Sequence, residues 1–559
     1  MTSSAEKRRF RKIVLFSIGI NLLMWILSLF CCPSWEANDD ITMQGLLYGI
    51  YGESTSNLIY MSRMWGIILC LLIKLPFNVY IMAQVFAILL SSSIVSVVFI
   101  ERFGKKGLLS VMIWCAAVFE CYISLQYTKT AGLVTAAGIM GILYFVIERR
   151  NKVMTVLSGA LILIGYMIRS ESALLAGALC LPIILVNIFG KGKSKKDIIR
   201  TMIVPVLVIG ILIGGCSIFD VFKRNSAEQE RLLSRYEYYR QRLSDYHSDM
   251  NTAKLVRALS DEGKTDLLYE VCMADCWMQN DPLVFTADKL QELDEMYADE
   301  ASPAVSEVVS KTLSIFLYNL RGTPMLIMMI LIQLLAIAFS DKRIYPILSC
   351  ILYFLTQGAM VYVGRYNLHR VTYIIILVCL MSTLYICGVP AIGSKRKDLN
   401  KILFVVVAVI LVEVSVATVF MIIRNVRSNL EENTDRYSCY LEIADPDEYY
   451  MYYPTSGPAY DPSVSIYSIP QKGKDAYPLG GWDSCFNYSD GVIQHEITGN
   501  PFVECIDSDN IRILMPADDD GYNIKLLEGY IMTHYGVNVE ETLERSNEFY
   551  AVYSLHSVE

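Results

Sequence analysis

Charge is what this sequence has little of. Only 19% of its 559 residues are Asp, Glu, Lys or Arg, 54% are hydrophobic, and the mean hydropathy is +0.40. Soluble domains cannot bury that much apolar surface, so a purely soluble protein is excluded and a polytopic membrane protein is expected. No CxxC pair occurs, Cys272 and Cys276 are spaced i,i+4, and Cys439, Cys485 and Cys505 form an odd set, so neither a disulfide framework nor a cysteine metal site is expected. No Ala-x-Ala-like cleavage site follows the first apolar run, which therefore reads as an uncleaved anchor.

Apolar length is what the chain has in abundance. A bilayer core about 30 Å thick takes roughly 20 apolar residues as a helix. Runs of about that length lie at Ile13 to Phe30, Val79 to Ile100, Leu108 to Gln126, Ala131 to Ile147, Val153 to Ile168, Ala173 to Ile188, Ile203 to Ile218, Met325 to Phe339, Ile344 to Val363, Val371 to Cys387 and Ile402 to Ile423. About eleven transmembrane helices are expected. Helices rather than a barrel follow because the runs are continuously apolar and a helix satisfies its own backbone groups in lipid. The segment Trp65 to Leu75 is only about 16 Å long as a helix, so it reads as an interfacial or re-entrant piece closed by Pro76.

Basic clusters at residues 7–12, at Arg102 with Lys105 and Lys106, at Arg149, Arg150 and Lys152, at 191–196, at Lys342 with Arg343, and at 395–397 all fall on one side under this topology. The positive-inside rule makes that side the cytoplasm, with the N-terminus in, the C-terminus out and the chain in the plasma membrane. Four parts follow: a transmembrane module over 1–218, an outer loop over 219–323, further transmembrane helices over 324–423, and an outer region over 424–559. That last region carries 24 acidic and 8 basic residues, a net of −16, which leaves +8 for the rest of a chain whose total is −8. An acidic exposed surface is expected from it, and no nucleic-acid partner.

In the outer loop, Ala227 to Arg242 interleaves acids and bases around Leu232, Leu233 and Tyr236, predicting one or two amphipathic helices. In the C-terminal region, Tyr449 to Tyr488 is rich in Tyr, Pro, Gly and Asp. Asn510 to Met515 and Glu548 to Leu555 have strand character, and Ile524 to Tyr535 reads as a helix stopped by Gly536. A small α/β or α+β domain is expected. Asp518-Asp519-Asp520 reads as a solvated turn rather than a metal loop.

Polar residues at the outer ends of several runs form a set. They are Glu36, Asp39 and Asp40 after the first run, Tyr127 to Thr130 with Lys129 after the third, Arg169 and Glu171 after the fifth, and Gly364 to Arg370, with Arg365, His369 and Arg370, after the ninth. Cations there can hold a phosphate while a carboxylate takes a proton from an incoming hydroxyl. Blander readings stand beside this one. Either Asp can cap the helix that starts near Ile41, the cations can be snorkelling anchors, and His369 is more often an interfacial residue than a catalyst. Glu120 and Glu413 lie inside apolar runs, where a carboxylate is costly. Glu120 is near enough to the outer end to face the same cavity, and Glu413 can be protonated and hydrogen-bonded to a neighbour.

The acidic pair in the first outer loop, the short juxtamembrane helix, the basic outer helix ends and the soluble C-terminal region together resemble the C-type (GT-C) membrane glycosyltransferases, over roughly residues 1–389. Bacterial Gtr-type glucosyltransferases and protein mannosyltransferases belong to that group. The resemblance implies transfer of a sugar from a polyprenyl-phosphate donor to an extracytoplasmic glycan, lipid or protein acceptor with inversion. Asp40 or Asp39 would be the general base, Asp40 being preferred as nearer the following helix. Arg169, Arg365, Arg370 and Lys129 would hold the donor phosphate, with Glu36, Glu120, Glu171 and His369 in support. No metal ligand is assigned; some family members use a divalent cation, for which the arginines could substitute. The chain departs from the pattern in carrying Asp-Asp where several members carry Asp-Glu, and its C-terminal region matches no accessory domain of the family.

Two other classes compete. A transporter or lipid-linked glycan flippase would use Glu120 and Glu413 for proton coupling, yet the sequence lacks a convincing internal repeat. A polysaccharide polymerase or ligase would also keep outer arginines but would not need the acidic pair.

Overall fold

In the computed structural model, each of the eleven apolar runs falls on a helix. The structure describes residues 4–36, 38–189, 195–246, 249–298, 303–365, 368–389, 397–454, 461–471, 476–495, 497–518 and 521–558. Ala37, Tyr366, Asn367, Asp519 and Asp520, the basic residues at 191–194 and 395–396, and parts of the Tyr- and Pro-rich stretch (455–460 and 472–475) lie outside the described residues.

Among the described residues, seven helices are long and apolar enough to cross a membrane, or nine if each of two bent pairs is one span. The difference from eleven lies in two places. Val79–Phe103 and Gly107–Ile123 form one run of 45 residues broken only by a tight turn at Gly104–Lys106, and Lys152–Ile168 has only 17 residues. The bent pairs are Ser170–Leu179 with Leu181–Phe189, turned by 43°, and Val305–Gly322 with Pro324–Phe339, turned by 104°. The second bend falls at Thr323, where Pro324 opens the next helix; proline lacks the N–H that a helix interior requires. Val305–Gly322 exposes Val305, Val309, Leu313 and Leu317 at four-residue spacing, an apolar stripe suited to lie along lipid.

The helices have two chemically different ends. At one end Arg102 pairs with Glu148, Arg149 with Glu6 and Glu101, and Lys342 reaches the Ile386 carbonyl at 3.5 Å. Tyr80, Gln84, Lys129, Arg169 and Arg370 lie at the other ends of the same bundle, beside the first outer loop. Among the described residues, Arg102, Arg149 and Lys342 thus lie at the end opposite the polar set.

Three elements were drawn differently from the sequence. The juxtamembrane helix runs Arg63–Leu72, four residues short of Pro76, and its N-terminus is tied down because Asp220 accepts from the Ser62 hydroxyl at 3.0 Å and from the Arg63 N–H at 2.9 Å. The last apolar run does not stop at Ile423. It belongs to a helix of 47 residues, Lys397–Ile443, about 70 Å long, which continues past the apolar run with exposed Arg427–Glu431 and Glu432–Arg436 pairs along its side. Glu413 sits on the exposed surface of this helix. The outer loop holds more helices than the one or two expected: Glu228–Asp245, Asp249–Asp261, Thr265–Asp275, Ala287–Ala298 and the bent Val305–Gly322. The second buries Leu259 and the third Val271, Met273 and Ala274.

The C-terminal region forms a mixed five-stranded sheet. In spatial order its strands are Ala476–Pro478, Tyr449–Tyr452, Ile511–Pro516, Tyr550–Ser557 and Val539–Ser546; the first three are parallel and the last two antiparallel to their neighbours. Helix Tyr522–Tyr535 ends at Gly536 in the left-handed region, at the expected stop. It packs on the outer-loop helix Thr265–Asp275 at Gly529, where a Cβ would stand 2.3 Å from the Tyr269 ring. Buried Asp281 of the outer loop accepts from Tyr530 at 2.9 Å and from Tyr535. One apolar core joins the first outer loop (Trp35, Met43, Leu46), the helical outer loop (Val271, Leu290) and the sheet region (Tyr477, Leu527), so all three form a single cap.

Candidate active site

The helix after the first span begins at Asn38, so Asp39 and Asp40 stand in its first turn rather than at its cap. Neighbours on a helix point about 100° apart, and the two carboxylates part accordingly. Asp40 turns inward and is fully buried. Its Oδ1 accepts from the Tyr80 hydroxyl at 2.8 Å, from Gln84 Nε2 at 3.2 Å and from the Tyr127 N–H at 3.3 Å. Gln84 in turn accepts from the Thr130 hydroxyl at 3.0 Å. Burial pushes the Asp40 carboxyl up to about 7, the Tyr80 and Gln84 donors opposing and the charge of Asp39 adding to it.

Asp39 turns the other way, into a cavity of about 240 Å³ that Arg169, Arg365 and Arg370 also line. Asp39 lines the cavity, and Asp40, preferred from the sequence as the base, lies behind it among side-chain donors. Asp39 Oδ2 is 3.6 Å from Arg370 Nη2. Arg169, in extended backbone between two helices, donates to the Tyr127 hydroxyl, and its guanidinium carbon is 5.1 Å from the centres of both the Tyr60 and Tyr127 rings. Those rings stack 6.2 Å apart, nearly parallel. Glu171, placed in support, is largely exposed, 3.7 Å from Arg169 Nε. Arg365 lies 3.4 Å from Asp245, which is also 3.3 Å from the fully buried Arg240. With three guanidinium groups and two carboxylates on its wall, the cavity favours an anion next to a carboxylate.

The wall includes residues that sequence reasoning missed: Tyr60, Ser244, Asp245, Trp277 and Trp482. The last four come from the outer loop and the C-terminal region, so the cap completes the site. Trp277 has a φ of 60°, a left-handed conformation rare for a bulky side chain. The C-terminal chain braces it. Leu479 accepts from the Asn280 N–H at 3.0 Å, and Gly480 passes so close that a Cβ there would sit 1.8 Å from the Trp277 carbonyl oxygen. The pattern Leu479-Gly480-Gly481-Trp482 was the available signal.

Lys129 does not line the cavity. The residues expected in an outer loop, Tyr127 to Thr130, form the first turn of helix Tyr127–Ile142, which Gln126 caps by accepting from the Lys129 N–H at 3.1 Å. The ammonium of Lys129 is fully buried between Glu36, with which it pairs, and Glu120, 2.9 Å away. His369 Nε2 shares the same Glu120 oxygen at 2.7 Å. Lys129, expected from the sequence beside the donor phosphate, lies between two carboxylates, and Glu120 and His369 belong to this cluster rather than to the cavity wall. A parallel bridge between Ser34–Trp35 and Ser124–Leu125 holds its elements together. Ligand atoms of Glu36, Glu120 and His369 lie within 4.8 Å of one another, a spacing that suits a metal ion. The Lys129 ammonium already pairs with both of those carboxylates, and two cations held on the same carboxylates repel strongly, so the cluster with Lys129 present does not fit a divalent cation.

No protein-family model matches the chain, and no curated protein matches it. A crystal structure of ArnT from Cupriavidus metallidurans bound to undecaprenyl phosphate is similar over 97% of this chain and 97% of that one, at 10% identity and a TM-score of 0.40. A likeness at that level leaves the functional reading to the site itself.

Proposed function

We propose that this chain is a membrane glycosyltransferase that moves a sugar from a polyprenyl-phosphate donor to an acceptor hydroxyl outside the cell. The observation that carries the reading is the convergence of Asp39, Arg169, Arg365 and Arg370, from three separate segments, on one cavity at the end of the helices opposite the basic loops. A polyprenyl tail partitions into lipid, so its phosphate is presented at the depth where spans end, and that is where the arginines lie.

In this reading Arg169 and Arg370 hold the donor phosphate and neutralise it as it leaves, with Arg365 beside them. Asp39 takes the proton of the acceptor hydroxyl, whose oxygen attacks the anomeric carbon from the side opposite the phosphate. A new carbon–oxygen bond forms, the bond to the phosphate oxygen breaks, the lipid phosphate departs and configuration inverts. Arg370 orients Asp39, and Asp40 fixes the helix that carries it. No step requires a metal ion, because the guanidinium groups supply the positive charge.

The transporter reading is weakened because Glu120 is ion-paired with Lys129 and Glu413 lies on an exposed helix face. A polymerase or ligase would keep the arginines without needing the acidic pair, so Asp39→Ala separates it: retained glycan transfer by that variant would favour that class, while the phosphate site itself is tested by its lipid. Mass spectrometry of lipid co-purified with the full chain should find a polyprenyl phosphate, and Arg169→Ala with Arg370→Ala should lose it. Retention of the same lipid by that double variant would count against the phosphate site as drawn.

A further inference from the structure

Glu36, Glu120 and His369 come from three elements: the first outer loop, the outer end of helix Gly107–Ile123 and the first residue of helix His369–Cys387. Their ligand atoms crowd within 4.8 Å. Two carboxylates and an imidazole at that spacing, with one side mostly buried, form a donor set typical of zinc or manganese. What distinguishes the cluster is Lys129, which enters from a fourth element with no solvent exposure, pairs with Glu36, and stands 2.9 Å from Glu120 and 5.1 Å from the centre of the Tyr373 ring.

We propose that Lys129 is a built-in cation occupying the position of a divalent ion, and that removing its ammonium turns Glu36, Glu120 and His369 into a metal site. Without Lys129 the two carboxylates, of which Glu120 is buried and Glu36 half-buried, would share His369 as their cationic partner, leaving excess negative charge that favours uptake of a cation. The three ligands are already gathered, so uptake of an ion needs little rearrangement.

The position gives the lysine a role. Glu36 lies three residues before Asp39, Lys129 two after Tyr127, and His369 immediately before Arg370. The ammonium ties Glu36 to Glu120, and Glu120 in turn holds His369, so the cluster joins three segments that deliver cavity residues and Lys129 is a positioning residue for them. The inference rests on the cluster alone and stands or falls independently of the glycosyltransferase reading.

The test is zinc content of the purified full chain, freed of any affinity tag, after incubation with Zn²⁺ and desalting, read by inductively coupled plasma mass spectrometry. Wild type is expected to hold no zinc that depends on His369, Lys129→Ala to hold one equivalent, and Lys129→Ala with Glu120→Gln to hold none. Zn²⁺ should also raise the melting temperature of Lys129→Ala and leave that of wild type unchanged. One equivalent in wild type that His369→Ala abolishes would overturn the proposal, as would a folded, monodisperse Lys129→Ala that takes up none. Should Lys129→Ala aggregate, Lys129→Gln replaces it, with the same two results deciding.

Discussion

Asp39 Oδ2 and Arg370 Nη2 face each other at 3.6 Å across the wall of the cavity, one from the first outer loop and the other from the first turn of a late helix. That separation is longer than a tight salt bridge, and it leaves the carboxylate free to accept from a hydroxyl while the guanidinium turns toward an anion. Arg370→Ala should raise the KM for a polyprenyl-phosphate sugar and lower kcat, about 10²-fold or more in kcat/KM, as removal of a charge-stabilising donor does. Arg370→Lys should recover part of it, because a single ammonium cannot reproduce the planar fork. Steady-state kinetics in membranes checks both.

Asp40 should govern stability against pH. Its carboxyl, raised by burial from 3.8 to about 7, makes the folded state hold a proton that the unfolded chain releases. The associated stability is complete below about pH 4 and is lost as pH rises through about 7, on the order of 4 kcal/mol over the window. The Tyr80 and Gln84 donors both reach Oδ1 within 3.2 Å, so Asp40→Asn can keep those two bonds through its amide oxygen and the 3.3 Å bond from the Tyr127 N–H, losing only the second contact of that N–H, with Oδ2 at 3.4 Å. Melting temperatures from pH 5 to 8 should show wild type falling relative to Asp40→Asn; parallel curves would contradict the assignment.

Gly480→Ala should loosen the cap. A Cβ placed 1.8 Å from the Trp277 carbonyl cannot be accommodated by a side-chain rotation, because the obstacle is backbone. A destabilisation of about 2–3 kcal/mol is expected, together with faster hydrogen exchange over 277–280 and 478–482. Unchanged exchange in those segments would mean that Gly480 does not brace Trp277.

How much of this was legible in the sequence follows from where each constraint originates. Apolar runs and the Gly536 stop are local and were readable; so were strands Ile511–Pro516 and Tyr550–Ser557. The strands Tyr449–Tyr452 and Ala476–Pro478 were hidden in a Tyr- and Pro-rich stretch whose pairing depends on Ile511–Pro516. The acidic pair and the arginines were readable as residue types at one membrane face. Which Asp faces the cavity was not, because Tyr80 and Gln84 decide it from another helix. Lys129 looked like one more outer cation, and only the approach of Glu36 and Glu120 shows that its charge is already matched. Trp277 carried no local signal, and Trp482 only the glycine pair that precedes it.

The most direct measurement is transfer of sugar from a labelled polyprenyl-phosphate donor by membranes containing the wild-type chain, Asp39→Asn or Asp40→Asn. The account predicts loss of about 10³-fold or more in Asp39→Asn and most of the wild-type rate in Asp40→Asn at neutral pH. Wild-type transfer by Asp39→Asn would contradict it.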